Sequence, residues 1–370
     1  MKNSKIIIKT KSKSYPIYFG EKNLKKTGRI IKENLPGVKN ICIITDKNLP
    51  NKYLSKLKKS LKKYKIIVYK FYPSEKVKSF KNAYKLVESL ISNNFTRSDC
   101  VISLGGGILG DLSAFVASLT KRGIKFVNIP TSLLAQVDAS VGGKTGVNSI
   151  QGKNLIGTFY QPDLILTDIS LLDSLPKREM ICGYAEILKH SLILDKKFFL
   201  WLTKNARKII YKKNKIILKN AIIKSCKIKS KIINLDEKEK NLRMILNFGH
   251  TFGHGFEAAK NFSRKLNHGE AVLLGMIMAS KYSYLNKILP LNDFMLIKKH
   301  YLDLNLPYNI NKYFKRKDVN KITKFVLKDK KNLNEKINLI LLNRIGKVIK
   351  PGSFKITSHE FKKYLASNFK

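Results

Sequence analysis

Three of the six histidines in this 370-residue chain, His250, His254 and His268, fall within nineteen residues of one another. Gly249-His250-Thr251-Phe252-Gly253-His254 spaces two imidazoles at i and i+4, where a helix presents both on one face. Imidazoles so placed can hold a divalent ion, and an ion with an open position polarises a substrate oxygen or activates water. Thr251 stands where a zinc protease of the H-E-x-x-H type carries its general-base glutamate, which excludes that class. A catalytic ion needs further ligands. His268, in Asn267-His268-Gly269-Glu270, and Glu186, in Gly183-Tyr184-Ala185-Glu186, have the chemistry to supply them. The other reading of the cluster is histidines satisfied inside a core.

Two glycine-rich segments could take phosphate. Gly105-Gly106-Gly107-Ile108-Leu109-Gly110-Asp111 follows an apolar run and meets the pattern G-x-G-x-x-G through Gly105, Gly107 and Gly110. Without Cβ atoms, these residues let backbone N–H groups approach a diphosphate at a helix N-terminus, whose dipole favours negative charge. The usual fingerprint lies on the first strand with an acid about 20 residues later. Here it begins only at residue 105, and Arg122 falls in the window for the acid, so a tight packing turn is the alternative. Asp46, just past the run ending at Thr45, is better placed to meet an adenosine ribose, or else caps the next helix. Val141-Gly142-Gly143-Lys144-Thr145-Gly146 lacks the spacing of an ATP phosphate loop, because Asp138 occupies the position of the first glycine. Lys144, with Lys153-Asn154 beyond it, still offers cations and donors to a phosphorylated ligand, unless the segment is a solvated loop.

The elements that must position these groups follow from periodicity. The first half alternates short β-branched runs with lysine-flanked helical patterns, which predicts an α/β layer with a mostly parallel sheet. Residues 6–8 and 15–19 read as an opening hairpin, and 41–45, 66–69, 101–104 and 125–129 as central strands. From about Ser174 the pattern turns to long helical periods, for example 209–233 and 271–285, with little strand signal before 337–342. Leu175-Pro176 marks the break, giving an α/β domain over 1–175 and a helical domain over 176–370.

Composition narrows the class of protein. With 44% hydrophobic and 26% charged residues the chain is too apolar to be disordered and long enough for two cores. Lys+Arg number 73 against 25 Asp+Glu, a net charge of +48. Yet residues 98–190, which hold the glycine motifs, contain eight acids and eight bases, so the excess lies elsewhere, in segments such as 56–63 and 211–215. Those segments read as solvated helix faces. Nucleic-acid binding needs a focused stripe with stacking aromatics, so only weak adsorption at low salt is expected. No apolar run reaches the roughly 18 to 20 residues that span a bilayer, and the N-terminal residues lack a signal-peptide core, which predicts a cytoplasmic protein without membrane association. Cys42, Cys100, Cys182 and Cys226 are scattered with no CxxC pair and read as small buried hydrophobes.

Beyond single motifs, ordered blocks along most of the chain resemble the 3-dehydroquinate synthase family. They include the glycine turn 105–111, Lys121-Arg122-Gly123, residues 130–138, Gly142-Gly143-Lys144-Thr145 and residues 152–157. In the second half they include 175–179, 186–190, 246–254, His268-Gly269-Glu270-Ala271-Val272 and Asp329-Lys330-Lys331. The resemblance implies a Rossmann-like α/β NAD domain followed by an all-α domain for metal and substrate. It implies a cytoplasmic homodimer that converts 3-deoxy-D-arabino-heptulosonate 7-phosphate to 3-dehydroquinate and phosphate in the shikimate pathway. The C5 hydroxyl is oxidised by NAD, the C6 proton thereby acidified, phosphate lost by β-elimination, the ketone reduced again, and the ring opened and closed by an aldol step. The alternatives are another NAD- and metal-dependent sugar-phosphate cyclase and a polyol dehydrogenase.

The resemblance also assigns residues. Glu186, His250 and His268 would hold the divalent metal, zinc with cobalt as alternative, and His254 would face substrate. Lys144, Asn154, Lys189, Lys229, Arg243, Asn247 and one of Lys330 or Lys331 would supply cations and donors, and Asp138 would bond a substrate hydroxyl. Arg122 would reach the neighbouring subunit's site. NAD would meet Asp46, Asn48, Glu75, Lys78, Gly107, Ile108, Leu109, Gly110, Asp111, Thr131, Ser132, Lys144, Lys153, Leu171 and Ser174. Ser132 replaces the family's usual threonine but keeps the hydroxyl. Ser74-Glu75-Lys76-Val77-Lys78 lacks the glycine and aromatic common there.

Overall fold

The computed structural model describes residues 4–327 and 336–369. β-Branched runs uninterrupted by polar side chains belong in a sheet covered on both faces. Ile41-Cys42-Ile43-Ile44 and Cys100-Val101-Ile102-Ser103-Leu104, the second broken only by a small hydroxyl, are accordingly buried throughout. The elements in order are β1 (Ser4–Lys9), β2 (Ser14–Gly20), α1 (Thr27–Asn34), β3 (Asn40–Asp46), α2 (Asn51–Ser60), β4 (Lys65–Phe71) and α3 (Phe80–Ser92). After them come β5 (Cys100–Gly105), α4 (Gly107–Leu119), β6 (Lys125–Pro130), β7 (Lys144–Ser149), β8 (Gly152–Phe159) and β9 (Leu164–Asp168). Seven strands form one sheet in the order β1-β2-β9-β6-β5-β3-β4, with β1 and β2 antiparallel and the rest parallel. All four strands read from the sequence as central are present, as is the opening hairpin, but β4, which holds 66–69, is an edge of the sheet, where its side chains are only partly covered.

The helices that follow are α5 (Lys177–Leu194), α6 (Lys196–Ile210), α7 (Lys215–Leu235), α8 (His250–Ala259), α9 (His268–Leu285), α10 (Leu291–Asp303), α11 (Val319–Leu327) and α12 (Ser358–Ala366). Two short antiparallel strand pairs, Lys336–Asn338 with Lys355–Thr357 and Leu342–Arg344 with Lys347–Val348, accompany them. Among the described residues no helix is long and apolar enough to cross a membrane.

The chain divides into two compact units, Met1–Pro176 with Lys213–Lys238, and Lys177–Lys212 with Glu239–Lys370. A single boundary near Pro176 does not capture this, because α7 belongs with the sheet. Its Cys226 thiol contacts the Gln136 carbonyl at 3.3 Å, and Lys229 Nζ bonds the Asp138 carbonyl at 2.6 Å and its carboxylate at 2.9 Å. The helical period over 209–233 is correspondingly two helices: Asn214 caps α7 by accepting from the Ile217 N–H, and Lys213 before it has φ 45°.

Residues 144–159 correct the solvated-loop reading of the second glycine segment. They form a hairpin in which Gly146 pairs with Gly157, and a Cβ at Gly157 would lie 2.2 Å from the Thr145 carbonyl oxygen. Glycine here serves close backbone approach within a two-stranded sheet.

Candidate active site

In the first unit, parallel pairing sets the carboxyl ends of β3, β5 and β6 side by side, Thr45 beside Leu104 and Gly105 beside Pro130. That edge is where open α/β sheets take ligands. Asp46, the turn Gly105-Gly106-Gly107, Thr131 and Ser132 all lie on it. Gly106 caps α4 with no side chain, so the first N–H groups of a 13-residue helix have no side-chain cap. A Cβ at Gly107 would come within 3.1 Å of Ala139, and the Thr131 N–H donates to the Gly105 carbonyl at 3.0 Å. Ile108, Leu109 and Gly110 form the first turn of α4; Leu109 is core, and Gly110 approaches the Asn128 side chain. Ser132 Oγ accepts from the Ala135 N–H.

Charges near this turn are already paired. Lys78, 4% exposed, donates to Asp111 Oδ2 at 2.5 Å. Burial pushes the Asp111 carboxyl up despite Lys78. Glu75 meets Lys153 Nζ at 2.9 Å and the Asn148 amide at 2.8 Å; against the burial that raises it, these partners hold its carboxyl low. Asp46 accepts from the exposed Asn48 N–H at 2.7 Å, so it closes its own turn, and burial raises its carboxyl. Leu171 is a core side chain whose carbonyl accepts from Ser174 Oγ, which leaves only its backbone for a ligand. Lys144 opens β7 and is exposed; Asn154 sits on β8 at φ 57°, its N–H on Asn148. Arg122 follows Lys121 with both at positive φ, 62° and 51°, a strained turn that throws the exposed Arg122 outward.

In the second unit, three ligand-type groups converge from three helices. Glu186 lies in mid-α5, His250 opens α8 and His268 opens α9. His250 Nε2 is 3.6 Å and His268 Nε2 3.9 Å from Glu186 Oε1, and one donor atom from each residue lies within 4.8 Å of the others. Glu186 is fully buried. Its counter-charge is Lys189, one turn along α5 and 2% exposed, whose ammonium contacts the carboxylate. A buried carboxylate is costly unless compensated, and beside the Lys189 ammonium two imidazole nitrogens facing it complete a donor set that fits a divalent ion. Burial, Lys189 and the other two imidazoles hold the His250 ring far below its usual range, in the neutral form that ligates. His268 behaves differently: burial opposes protonation, but the Glu257 carboxylate raises it to about 9.

Local sequence fixes these positions. Asn267 caps α9 in a capping box with Glu270, and Arg178 on α5 grips Glu270 with two bonds of 2.7 and 2.6 Å. Gly249 has φ 79°, and Gly275 passes so close that its Cβ would lie 2.0 Å from the Gly249 carbonyl oxygen. His254 is exposed one turn after His250, ring centroids 5.3 Å apart. Arg243 is buried, and the Asn247 amide donates to Glu239 at 2.8 Å. Lys330 and Lys331 lie outside the described residues. Two acids escaped the sequence reading. Glu239 gave no signal, whereas Glu257 stands seven residues after His250, on the helix face that His250 and His254 define.

The fold of sheet and helical region is that of solved NAD-binding synthases. A 2-deoxy-scyllo-inosose synthase, solved with carbaglucose-6-phosphate, NAD+ and Co2+, matches with TM-score 0.86 at 24% identity, covering 98% of this chain and 99% of that one. A 2-epi-5-epi-valiolone synthase from Streptomyces hygroscopicus, solved with NAD+ and Zn2+, matches with TM-score 0.84 at 23% identity over 97% and 98%. Models of the N- and C-terminal regions of 3-dehydroquinate synthase match residues 68–182 and 183–332, and the 3-dehydroquinate synthase of Pelagibacter ubique is 53% identical over 92% of this chain and 93% of its own length. The chain belongs to the 3-dehydroquinate synthase family, and it is a phosphate-eliminating carbon–oxygen lyase of the shikimate pathway.

Proposed function

We propose that the chain converts 3-deoxy-D-arabino-heptulosonate 7-phosphate to 3-dehydroquinate and phosphate, using NAD and a zinc ion, as a cytoplasmic homodimer. The observation that carries the metal reading is the facing of two imidazole Nε2 atoms to the buried Glu186 carboxylate. Glu186, His250 and His268 would hold the ion, which would supply a Lewis acid for a substrate oxygen, and the sheet edge at Gly105-Gly106-Gly107 would hold NAD, which would supply a hydride acceptor.

The chain's own residues bind and orient. The uncapped start of α4 suits the diphosphate of NAD, and Thr131 and Ser132 flank it on the same sheet edge. Lys229, held on Asp138, and Arg243, Asn247, Lys144, Asn154 and Lys189 supply the cations and amides that a carboxylated, phosphorylated sugar requires. His254, exposed beside the donor cluster, moves a proton. Four buried, unpaired cysteines suit a reducing compartment. The dimer reading rests on β8, whose second edge pairs with no strand among the described residues and which exposes Leu155, Ile156 and Phe159; such an edge invites a second copy.

The deciding assay follows phosphate release and absorbance of NADH together. Phosphate without accumulating NADH is expected, lost on chelation and in His250→Ala. Steady NADH production marks a polyol dehydrogenase instead, and full turnover after chelation refutes the metal assignment.

A further inference from the structure

Both histidines that face Glu186 do so through Nε2, so both must carry their ring proton on Nδ1 to keep the Nε2 lone pair for an ion. His250 has a backbone answer: its Nδ1 lies 3.3 Å from the Phe248 carbonyl, an acceptor that only a ring N–H can satisfy. His268 has no such carbonyl among its hydrogen bonds. Its Nδ1 lies 3.0 Å from Oε2 of Glu257. Glu257 is 8% exposed, on the third turn of α8, seven residues after His250. A carboxylate at such depth is costly unless it meets a donor.

We propose that Glu257 is a positioning residue for the metal centre: it accepts a hydrogen bond from Nδ1–H of His268 and thereby fixes the tautomer and ring plane that present Nε2 beside Glu186 and His250. The inference rests on the metal reading above and adds a residue to it. Because His250 and Glu257 share α8, one helix both provides a ligand and orients another that stands on α9. A carboxylate behind an imidazole also raises its basicity toward a bound cation, and losing such a partner weakens metal affinity about 10- to 100-fold.

The test uses the whole chain stripped of metal, with zinc affinity measured by competition against a chromogenic chelator. Glu257→Ala is expected to weaken zinc binding about 10- to 100-fold. Glu257→Gln keeps the shape and a neutral acceptor oxygen and should lose less. A second measurement separates orientation from general damage: in 15N-resolved spectra of zinc-loaded protein, the His268 Nδ1 proton should lose protection from solvent exchange in Glu257→Ala. The His250 Nδ1 proton, held by backbone, should keep its protection. If the alanine variant does not fold, the isosteric glutamine variant decides by the same two measurements. Unchanged zinc affinity in the folded variants, or an unaltered His268 proton, overturns the proposal while leaving the metal site standing. Failure of the parent protein to bind zinc at all overturns both.

Discussion

At the scale of single residues, the helical unit pays attention to protons away from the donor cluster as well. His300 on α10 is 3% exposed, its Nε2 2.7 Å from the Tyr184 hydroxyl, with the Phe199 ring edge-on at 5.5 Å. Burial, which outweighs the opposing pull of Asp303, lowers its ring from 6.5 to about 4. Burial also keeps the Tyr184 phenol protonated, so the hydroxyl donates and Nε2 accepts. Between those two values the unfolded chain binds a proton that the folded chain refuses, so this contribution is complete above about pH 6.5 and is lost as pH falls toward 4. The expected slope is about 1.4 kcal/mol per pH unit at its steepest. Thermal midpoints of the parent and of His300→Gln, compared at pH 7 and pH 5, should converge as the pH drops. Parallel loss in both proteins would place the acid sensitivity elsewhere.

At the scale of elements, the donor cluster depends on how closely α8 and α9 cross. Gly275→Ala puts a methyl into the Gly249 carbonyl, a backbone atom that cannot rotate away, so the helices must separate and carry His250 and His268 with them. Overpacking of this kind costs about 1 to 3 kcal/mol, and the near-contact here places the loss at the upper end. Denaturant unfolding should show that loss together with weakened zinc binding; retained affinity would mean that α8 can shift without moving His250. Such crossings also explain what could and could not be read beforehand. The strands 41–45 and 101–104 were legible because buried parallel strands are continuous apolar runs. The i, i+4 imidazoles were legible because helix periodicity is local. The β7–β8 hairpin was not, since Gly142, Gly143 and Gly146 suggest a loop until Gly157 is seen opposite Gly146. Nor was the return of α7 to the sheet unit, which depends on where Cys226 and Lys229 find Gln136 and Asp138. Glu186 and His268, spread over 83 positions, were legible only as candidate ligands by residue type; spacing offered the His250–His254 pair, and the resemblance to a family singled out Glu186, His250 and His268.

At the scale of the whole molecule, a net charge of +48 bears on assembly rather than on fold. Two copies meeting at β8, the proposed interface, would bring together two chains of like net charge. Ionic strength therefore sets the balance. With a screening length of about 10 Å at 0.1 M salt, most of the repulsion between copies is removed, whereas apolar burial along the strand edge is unaffected or slightly strengthened. Association should consequently tighten as salt rises from low to moderate, the opposite of what a dimer held by complementary charges would do. Sedimentation velocity across a salt series checks the direction. Ile156→Lys adds a charge to the proposed interface strand and should yield monomers at every salt concentration, because lysine on an edge strand is how sheets avoid partners. Dimers that persist in this variant, or that dissociate with added salt, would move the interface away from β8.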